Sequence, residues 1–440
     1  MKTLIAGLMA LVGLSWGWAW LQGGVVPDVN PLWQWRQEGL YLSGLMAIAL
    51  MSLSMYLSSR PRWLESALGG MDRVYRTHKW AGMLSGGWAL SHWLIEMSDD
   101  VLKVLVGREG RLPRERLGGV LDALRDLGKD MGEWAIYALL VMLVISLWKR
   151  VPYRYWRFLH RAMPGIYLMA AAHAALLAPV SYWQQPVGGL MAVLLLAGSY
   201  GALIALLGRI GRASQFSGQI VALNSRTHGV LHLRCQMDAG WRGHQPGQFA
   251  FIHFDAAEGA HPFTIAGADR GDGCLDFEIK ALGDYTANLS AHLTLGQRVR
   301  VEGPYGRFML KHIKPALRQI WIAGGIGITP FIAWLEALQS KPMHAAAIDL
   351  HYCTRSSVDD PFVSRLEILC AAVPGMKLHV HADDQPAGPS LAEWLLSEAG
   401  QAGSELWFCG PTGLAEHARQ ALAPLGMSGP VFHQEAFELR

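Results

Sequence analysis

Between His78 and His92 the chain reads HKWAGMLSGGWALSH, and between His160 and His173 it reads HRAMPGIYLMAAAH. Both stretches lie in apolar runs near the length, about 20 residues, that a helix needs to cross hydrocarbon. Such runs recur near 4–20, 39–57, 78–97, 131–148, 156–178 and 186–208. Histidine in a membrane span is costly and marks function by default. The third and fifth spans run in the same direction, so His78 faces His160 and His92 meets His173 roughly 20 Å further along. Two haems, each held by two imidazoles, fit that arrangement, because paired neutral imidazoles fill both axial positions of an iron and suit electron transfer. Four histidines that merely pack or snorkel are the alternative. Fourteen residues return a helix to within roughly 40° of its starting face, whereas thirteen leave about 220°. Pro164, between His160 and His173, can kink the fifth span, and a local irregularity there would restore the aim.

Outward from these spans, composition divides the chain. Only 17% of residues are charged, against about a quarter in soluble proteins. Residues 1–212 hold 21 Lys/Arg, 13 Asp/Glu and 13 Trp; residues 213–440 hold 17, 22 and five. Arg60, Arg62, Arg73, Arg76 and Lys79 lie between spans 2 and 3, and Lys149, Arg150, Arg154, Arg157 and Arg161 between spans 4 and 5. By the positive-inside rule these loops, the N-terminus and everything beyond Arg212 are cytoplasmic. Residues 98–130 form an outer loop that disagrees, with seven Lys/Arg against seven Asp/Glu. The first run could pass for a signal peptide after Lys2, which would leave the orientation unchanged. Arg73, Arg76, Arg157 and Arg161 serve equally well as propionate partners or as membrane anchors. The five cysteines all lie after residue 212 without a C-x-x-C pair, which excludes a disulfide scaffold, a zinc ribbon and a plant-type iron–sulfur domain.

Beyond Arg212 short strands follow at Gly218–Leu223, Val230–Cys235, Phe249–Phe254, Leu275–Lys280 and Val299–Glu302, the texture of a small antiparallel barrel. From about residue 316 strands alternate with helical stretches: Ile320–Ala323, Ala347–Cys353, Leu378–Ala382 and Leu406–Cys409. That alternation predicts a parallel α/β sheet. The first of these strands runs into Gly324-Gly325-Ile326-Gly327-Ile328-Thr329-Pro330, a turn whose glycines permit close backbone approach. Thr329 can cap the helix that follows, with Pro330 in its first turn. A helix start so arranged attracts a pyrophosphate. After the next strand, Thr354-Arg355-Ser356 places a cation and hydroxyls where an NAD site has an acid on the ribose, which favours a 2′-phosphate and hence NADPH, with NADH possible.

Taken in order, the histidine quartet, His261-Pro262-Phe263-Thr264, Gly283-Asp284-Tyr285-Thr286, Glu302-Gly303-Pro304-Tyr305-Gly306, the Gly324–Pro330 turn and Cys409-Gly410-Pro411 resemble the ferric reductase/NADPH oxidase family across essentially the whole chain. The resemblance implies a six-helix transmembrane haem bundle (1–212), a β-barrel FAD domain (213–312) and an α/β parallel-sheet NAD(P)H domain (313–440). It implies that His261, Pro262, Phe263 and Thr264 line the flavin, with Thr264 at its reactive edge, and that Lys280, Gly283 and Thr286 hold the FAD diphosphate. Gly324, Gly325, Gly327 and Thr329 would take the nicotinamide cofactor's phosphates, Cys409 and Gly410 would sit beside the nicotinamide, and Phe437 would stack on the flavin. Packing of a last strand is the alternative for Phe437.

The expected protein is a multi-pass bacterial inner-membrane flavocytochrome b carrying electrons from NADPH through FAD and two b-type haems to ferric iron or oxygen outside. A quinone or a periplasmic redox partner is the alternative acceptor, and nucleic acid is not a partner. A haem-free flavin reductase on a membrane anchor and a channel with a regulatory nucleotide domain are the rival classes. No EF-hand-like loop is present, so calcium gating is not expected. Glu96 shares a helical face with His92, where oxygen-reducing relatives commonly place a histidine, and Arg36 is its candidate basic partner. The carboxylate would recruit a cation or relay a proton, making oxygen the poorer acceptor; a plain helix-end glutamate is the bland alternative.

Overall fold

A computed structural model describes residues 2–23, 28–112, 115, 117–148, 150–255, 259–342, 347–384, 390–398, 404–426 and 432–435. The chain forms two compact units, Met1–Gly211 and Arg212–Arg440.

The first unit is helical: α1 (Lys2–Gly23), α2 (Pro31–Ser58), α3 (Arg62–Leu68), α4 (Met71–Val106), α5 (Gly119–Leu147), α6 (Tyr153–His160), α7 (Met163–Leu177) and α8 (Pro186–Leu206). Asn30 starts α2 by accepting from the Leu32 amide, with Pro31 in the first turn. Of these, α1, α2, α5 and α8 are long and apolar enough to cross a membrane. The histidine-bearing segments differ for physical reasons. Both ends of α4 are charged, and the fifth expected span is broken into α6 and α7, the latter 15 residues long. Large apolar side chains such as Leu14, Val141 and Leu196 face outward, while small residues fill the helix contacts, as packing in lipid favours. A Cβ on Gly198 would lie 2.2 Å from the Tyr167 hydroxyl, and one on Gly201 would lie 2.3 Å from the Met55 carbonyl.

The expected outer loop is partly helix, since α4 continues to Val106 and α5 begins at Gly119. Its charges are largely paired: Asp99 with Lys103 and Arg111, Glu115 with Arg125, Asp126 with Lys129.

The second unit contains two sheets. Strands β1 (Gln215–Arg226), β2 (Val230–Met237), β3 (Phe249–His253), β4 (His261–Thr264), β5 (Cys274–Lys280) and β6 (Arg298–Tyr305), with α9 (Asp284–His292) between the last two, form an antiparallel sheet ordered β4-β3-β6-β1-β2-β5. A single bridge, Ile265 to Phe277, links its two edges. The second sheet is parallel and ordered β11-β10-β7-β8-β9. It comprises β7 (Arg318–Gly324), α10 (Thr329–Ser340), β8 (Ile348–Thr354), α11 (Val363–Ala371), β9 (Met376–Ala382), α12 (Leu391–Glu398), β10 (Ser404–Cys409), α13 (Thr412–Leu422) and β11 (Phe432–Glu435). Buried Trp321, Phe331, Trp334 and Trp407 fill one face of it.

The other face carries an imidazole stack. His351 is fully buried, its ring 4.6 Å from that of His379 and its Nδ1 2.9 Å from His381 Nε2, with Trp394 against it and His379 bonded to Asp349. Burial first, then the charges of His379 and His381, push His351 down to about 3. The unfolded chain therefore takes up a proton between about pH 6.5 and 3 that the folded chain refuses. Stability is complete above pH 6.5 and falls on acidification, by about 2 kcal/mol at pH 5 for this one group. Melting of the purified full-length protein at pH 7.5 and 5 checks this. His351→Leu is expected to lose less stability on acidification than the wild type, and an unchanged pH slope would rule the uptake out.

Candidate functional site

The four histidines of the first unit meet as two pairs. The rings of His78 and His160 have centroids 6.2 Å apart and planes crossed at 76°; those of His92 and His173 are 6.1 Å apart and crossed at 87°. Three rings are tied through Nδ1 to backbone carbonyls of neighbouring helices: His78 to Ser54 at 2.9 Å, His92 to Leu40 at 3.0 Å and His173 to Gly128 at 2.9 Å. A carbonyl only accepts, so Nδ1 carries the hydrogen and Nε2 keeps its lone pair. His160 is held otherwise, stacked 4.9 Å from Trp156. Rings on opposite faces of one metal, each nitrogen about 2 Å from it, stand roughly 6 Å apart. Among the described residues no cluster of three or more metal-type side chains occurs, so each pair offers two ligands only. An iron there needs its other positions filled by a macrocycle, and the donor set fits a haem.

How thirteen residues keep both rings aimed is visible in the chain path. Helix α6 stops at His160 and α7 begins at Met163 with Pro164 in its first turn, so helical phase does not carry across. Gly44 and Gly132 make room for the second pair: a Cβ would lie 3.2 Å from the His92 ring and 2.1 Å from His173 Nδ1, respectively. Beyond His92, Arg36 donates to Glu96 Oε2 at 2.8 Å. The expected basic partner of Glu96 is therefore in place.

In the second unit the order in which strands join the parallel sheet reverses between β7 and β10, and ligands of such sheets bind at the strand ends beside that point. Gly324 ends β7 and Cys409 ends β10. A Cβ on Gly324 would lie 2.8 Å from Pro411 Cδ, and one on Gly327 would lie 2.3 Å from the Cys409 carbonyl. Gly327 is thus required by backbone contact with Cys409, and Gly324 by the Pro411 ring and the Leu414 side chain. Gly325 differs: its φ is +54°, and the nearest atom to an added Cβ is Lys280 Nζ at 3.7 Å. The lysine at the end of β5 consequently stands beside the glycine turn. Thr329 does not cap α10; it is the first helical residue, Ile328 precedes it as cap, and its hydroxyl donates to the Ile326 carbonyl at 3.0 Å. Burial and the Glu435 carboxylate hold the Cys409 thiol well above its ordinary range, so it stays protonated.

Strand β4 pairs with β3, Thr264 opposite Phe249. The His261 ring lies parallel to Tyr285 at 3.9 Å, so one of its faces is covered. Gly283 precedes α9, and Thr286 Oγ1 accepts from the Leu282 and Gly283 amides at 3.0 and 3.2 Å. Lys280, the α9 start and the aromatic β4 edge form a cradle that fits a dinucleotide flavin. Phe437 lies outside the described residues.

Arg355 is exposed after β8, but its neighbouring hydroxyls are engaged. Thr354 donates to Asp360 at 2.6 Å, and Ser356 Oγ and the Ser357 amide donate to Asp384 at 2.8 and 3.1 Å. Reading the site from sequence missed Asp384. The signal was there in the register, since parallel pairing sets Thr354 beside Ala382 and brings the residues after both strands together.

Residues 43–171 match the family described as ferric reductase like transmembrane component, and residues 215–309 match an FAD-binding domain family. The ferredoxin–NAD(P)+ reductase component of naphthalene 1,2-dioxygenase/salicylate 5-hydroxylase systems from Ralstonia sp. is 30% identical over 234 residues, 50% of this chain and 68% of that protein. The vanillate O-demethylase oxidoreductase of Pseudomonas putida is 34% identical over 143 residues, 32% of this chain and 42% of that protein. Among solved structures, a flavohemoglobin from Malassezia yamatoensis aligns over 93% of this chain and all of its own, with TM-score 0.51 and 15% identity, a likeness of fold alone.

Proposed function

This chain belongs to the ferric reductase/NADPH oxidase family and is an NAD(P)H-dependent membrane oxidoreductase, and from that premise we propose that it carries electrons from cytoplasmic NAD(P)H through FAD and two b-type haems to an acceptor outside. The facing imidazoles at 6.2 and 6.1 Å carry this reading. In it, His78 and His160 hold the inner haem and His92 and His173 the outer one. The β4 edge with Thr264, Lys280, Gly283 and Thr286 binds FAD, and the Gly324–Thr329 turn with Cys409-Gly410 binds the nicotinamide nucleotide. Both cofactors supply the hydride and electron chemistry; the chain orients them and excludes water. The N-terminus and the second unit are cytoplasmic and the membrane is the bacterial inner membrane.

The outside acceptor is ferric iron or oxygen, with a quinone or a periplasmic redox protein as the second reading. Glu96 with its partner Arg36 supports a cation or a proton relay at that end, with oxygen the poorer acceptor. Spectra of the purified full-length protein without oxygen, before and after NADH or NADPH, test the route. Reduction of both flavin and b-type haem is expected; absence of haem absorbance, or haem left oxidised beside reduced flavin, defeats it. Turnover with a ferric chelate, oxygen and a quinone then ranks the acceptors.

The donor's 2′-phosphate is the finer question. Arg355 supplies one charge-assisted contact, contributing about 1.5–3 kcal/mol, while Asp384 places a carboxylate among the donors of the same turn. Arg355→Ala is expected to lower kcat/KM for NADPH roughly ten- to hundred-fold with little effect on NADH. Equal losses with both nucleotides would make Arg355 an ordinary surface residue.

A further inference from the structure

Two arginines repeat one another's contacts around the His92–His173 pair. On α2, the Leu40 carbonyl accepts from His92, and Arg36, one turn earlier, donates from Nε to the Ile95 carbonyl at 3.2 Å, three residues past His92. On α5, the Gly128 carbonyl accepts from His173, and Arg125, one turn earlier, donates from Nε to the Leu176 carbonyl at 3.2 Å, three residues past His173. Each guanidinium then meets a carboxylate at 2.8 Å, Glu96 for Arg36 and Glu115 for Arg125. The same five-part arrangement on two separate helix pairs is hard to attribute to surface packing. Arg125 also reaches the Ala178 carbonyl, so it satisfies acceptors at the end of α7 that the helix itself leaves open.

The charges do not cancel. The guanidinium side chains are 7% and 11% exposed, whereas Glu96 and Glu115 are 57% and 47% exposed. Water screens the carboxylates far more than the arginines. Asp99, 3.7 Å from Arg36, is shared with Lys103 and Arg111. Near the His78–His160 pair, Arg73, Arg76, Lys79 and Arg161 are exposed and Arg157, three residues before His160, is half-buried, and His78 is tied to Ser54 instead.

We propose that Arg36 and Arg125 are matched positioning residues that clamp the helices bearing His92 and His173, and that their desolvated charge raises the reduction potential of the haem held between those rings relative to the other. This rests on the haem assignment above. A positive charge within about one helical turn of the ligand would stabilise the reduced form of a haem held there and so favour electron transfer toward it.

Redox titration of the full-length haem-loaded protein, followed by absorbance and by the low-spin ferric resonance, tests this. Wild type is expected to show two components, the more positive being the one that His92→Ala removes. Arg36→Gln and Arg125→Gln should each move that component to lower potential and leave the other in place. Arg36→Lys and Arg125→Lys keep the charge, so they should hold the potential while altering the resonance through the lost fork geometry. Should the glutamine variants fail to retain haem, the lysine variants decide alone. Unmoved midpoints in the glutamine variants, equal movement of both components, or a lysine shift as large as the glutamine shift would overturn the inference. A wild type without haem would instead defeat the earlier reading.

Discussion

His92→Ala is expected to remove one haem per chain and stop delivery to outside acceptors, while NAD(P)H still reduces the flavin at close to the wild-type rate. The two imidazole pairs share no residue, and His78, His92 and His173 are each oriented by a different carbonyl. Deleting a ligand therefore empties one site and spares the other. Turnover should fall by more than roughly a hundred-fold, the upper end of what loss of a mere supporting partner costs. Gly132→Ala gives an independent route to the same phenotype, because its Cβ would lie 2.1 Å from His173 Nδ1 and the ring must leave its place. Haem content per chain and stopped-flow flavin bleaching are the two measurements. Full haem retention in His92→Ala would show that the ligand assignment is wrong.

Gly327→Ala should disable the nucleotide site from within the backbone. Its added carbon would lie 2.3 Å from the Cys409 carbonyl oxygen and 2.6 Å from the carbonyl carbon. Neither is the tip of a flexible side chain, so β7 and β10 must separate at their ends. Overpacking of this kind costs about 1–3 kcal/mol, and here the strain falls on the groups that position the nicotinamide. Flavin reduction by NAD(P)H is expected to drop at least roughly ten-fold, while chemical reduction of flavin and haem stays normal. Gly413→Ala is the matched control, with nothing within 4 Å of the new atom. Gly325→Ala lies between the two, strained by a left-handed φ but facing only Lys280. Equal behaviour of Gly327→Ala and Gly413→Ala would remove the close approach of Gly327 and Cys409 as the cause.

Periodicity and charge made the larger architecture legible. Helices stand where the apolar runs fall, and His78 meets His160 and His92 meets His173 because one helix carries two rings on nearly one face. Short-range chemistry was legible too, as in the helix that starts after the glycine turn with Pro330 in its first turn. What sequence could not supply were contacts made by chain path. The acid that Asp384 brings to the Arg355 turn and the arginine contacts at Ile95 and Leu176 join residues far apart in sequence. Thr329 shows a subtler limit: its type suits a cap, yet the tight turn before it moves the helix start by one residue.

The joint between α6 and α7 has a consequence for how the sequence can drift. In α4 a single inserted residue between His78 and His92 would swing one ring by about 100°, so the interval there is fixed by geometry. In the other strut, Arg161 and Ala162 act as a swivel between two short rods. A length change at this joint would reorient α6 with His160 at its end, while His173 in α7 keeps its seat. One ligand helix is a ruler and the other a hinged arm, and the spacing of histidines should be strict on the first and elastic on the second.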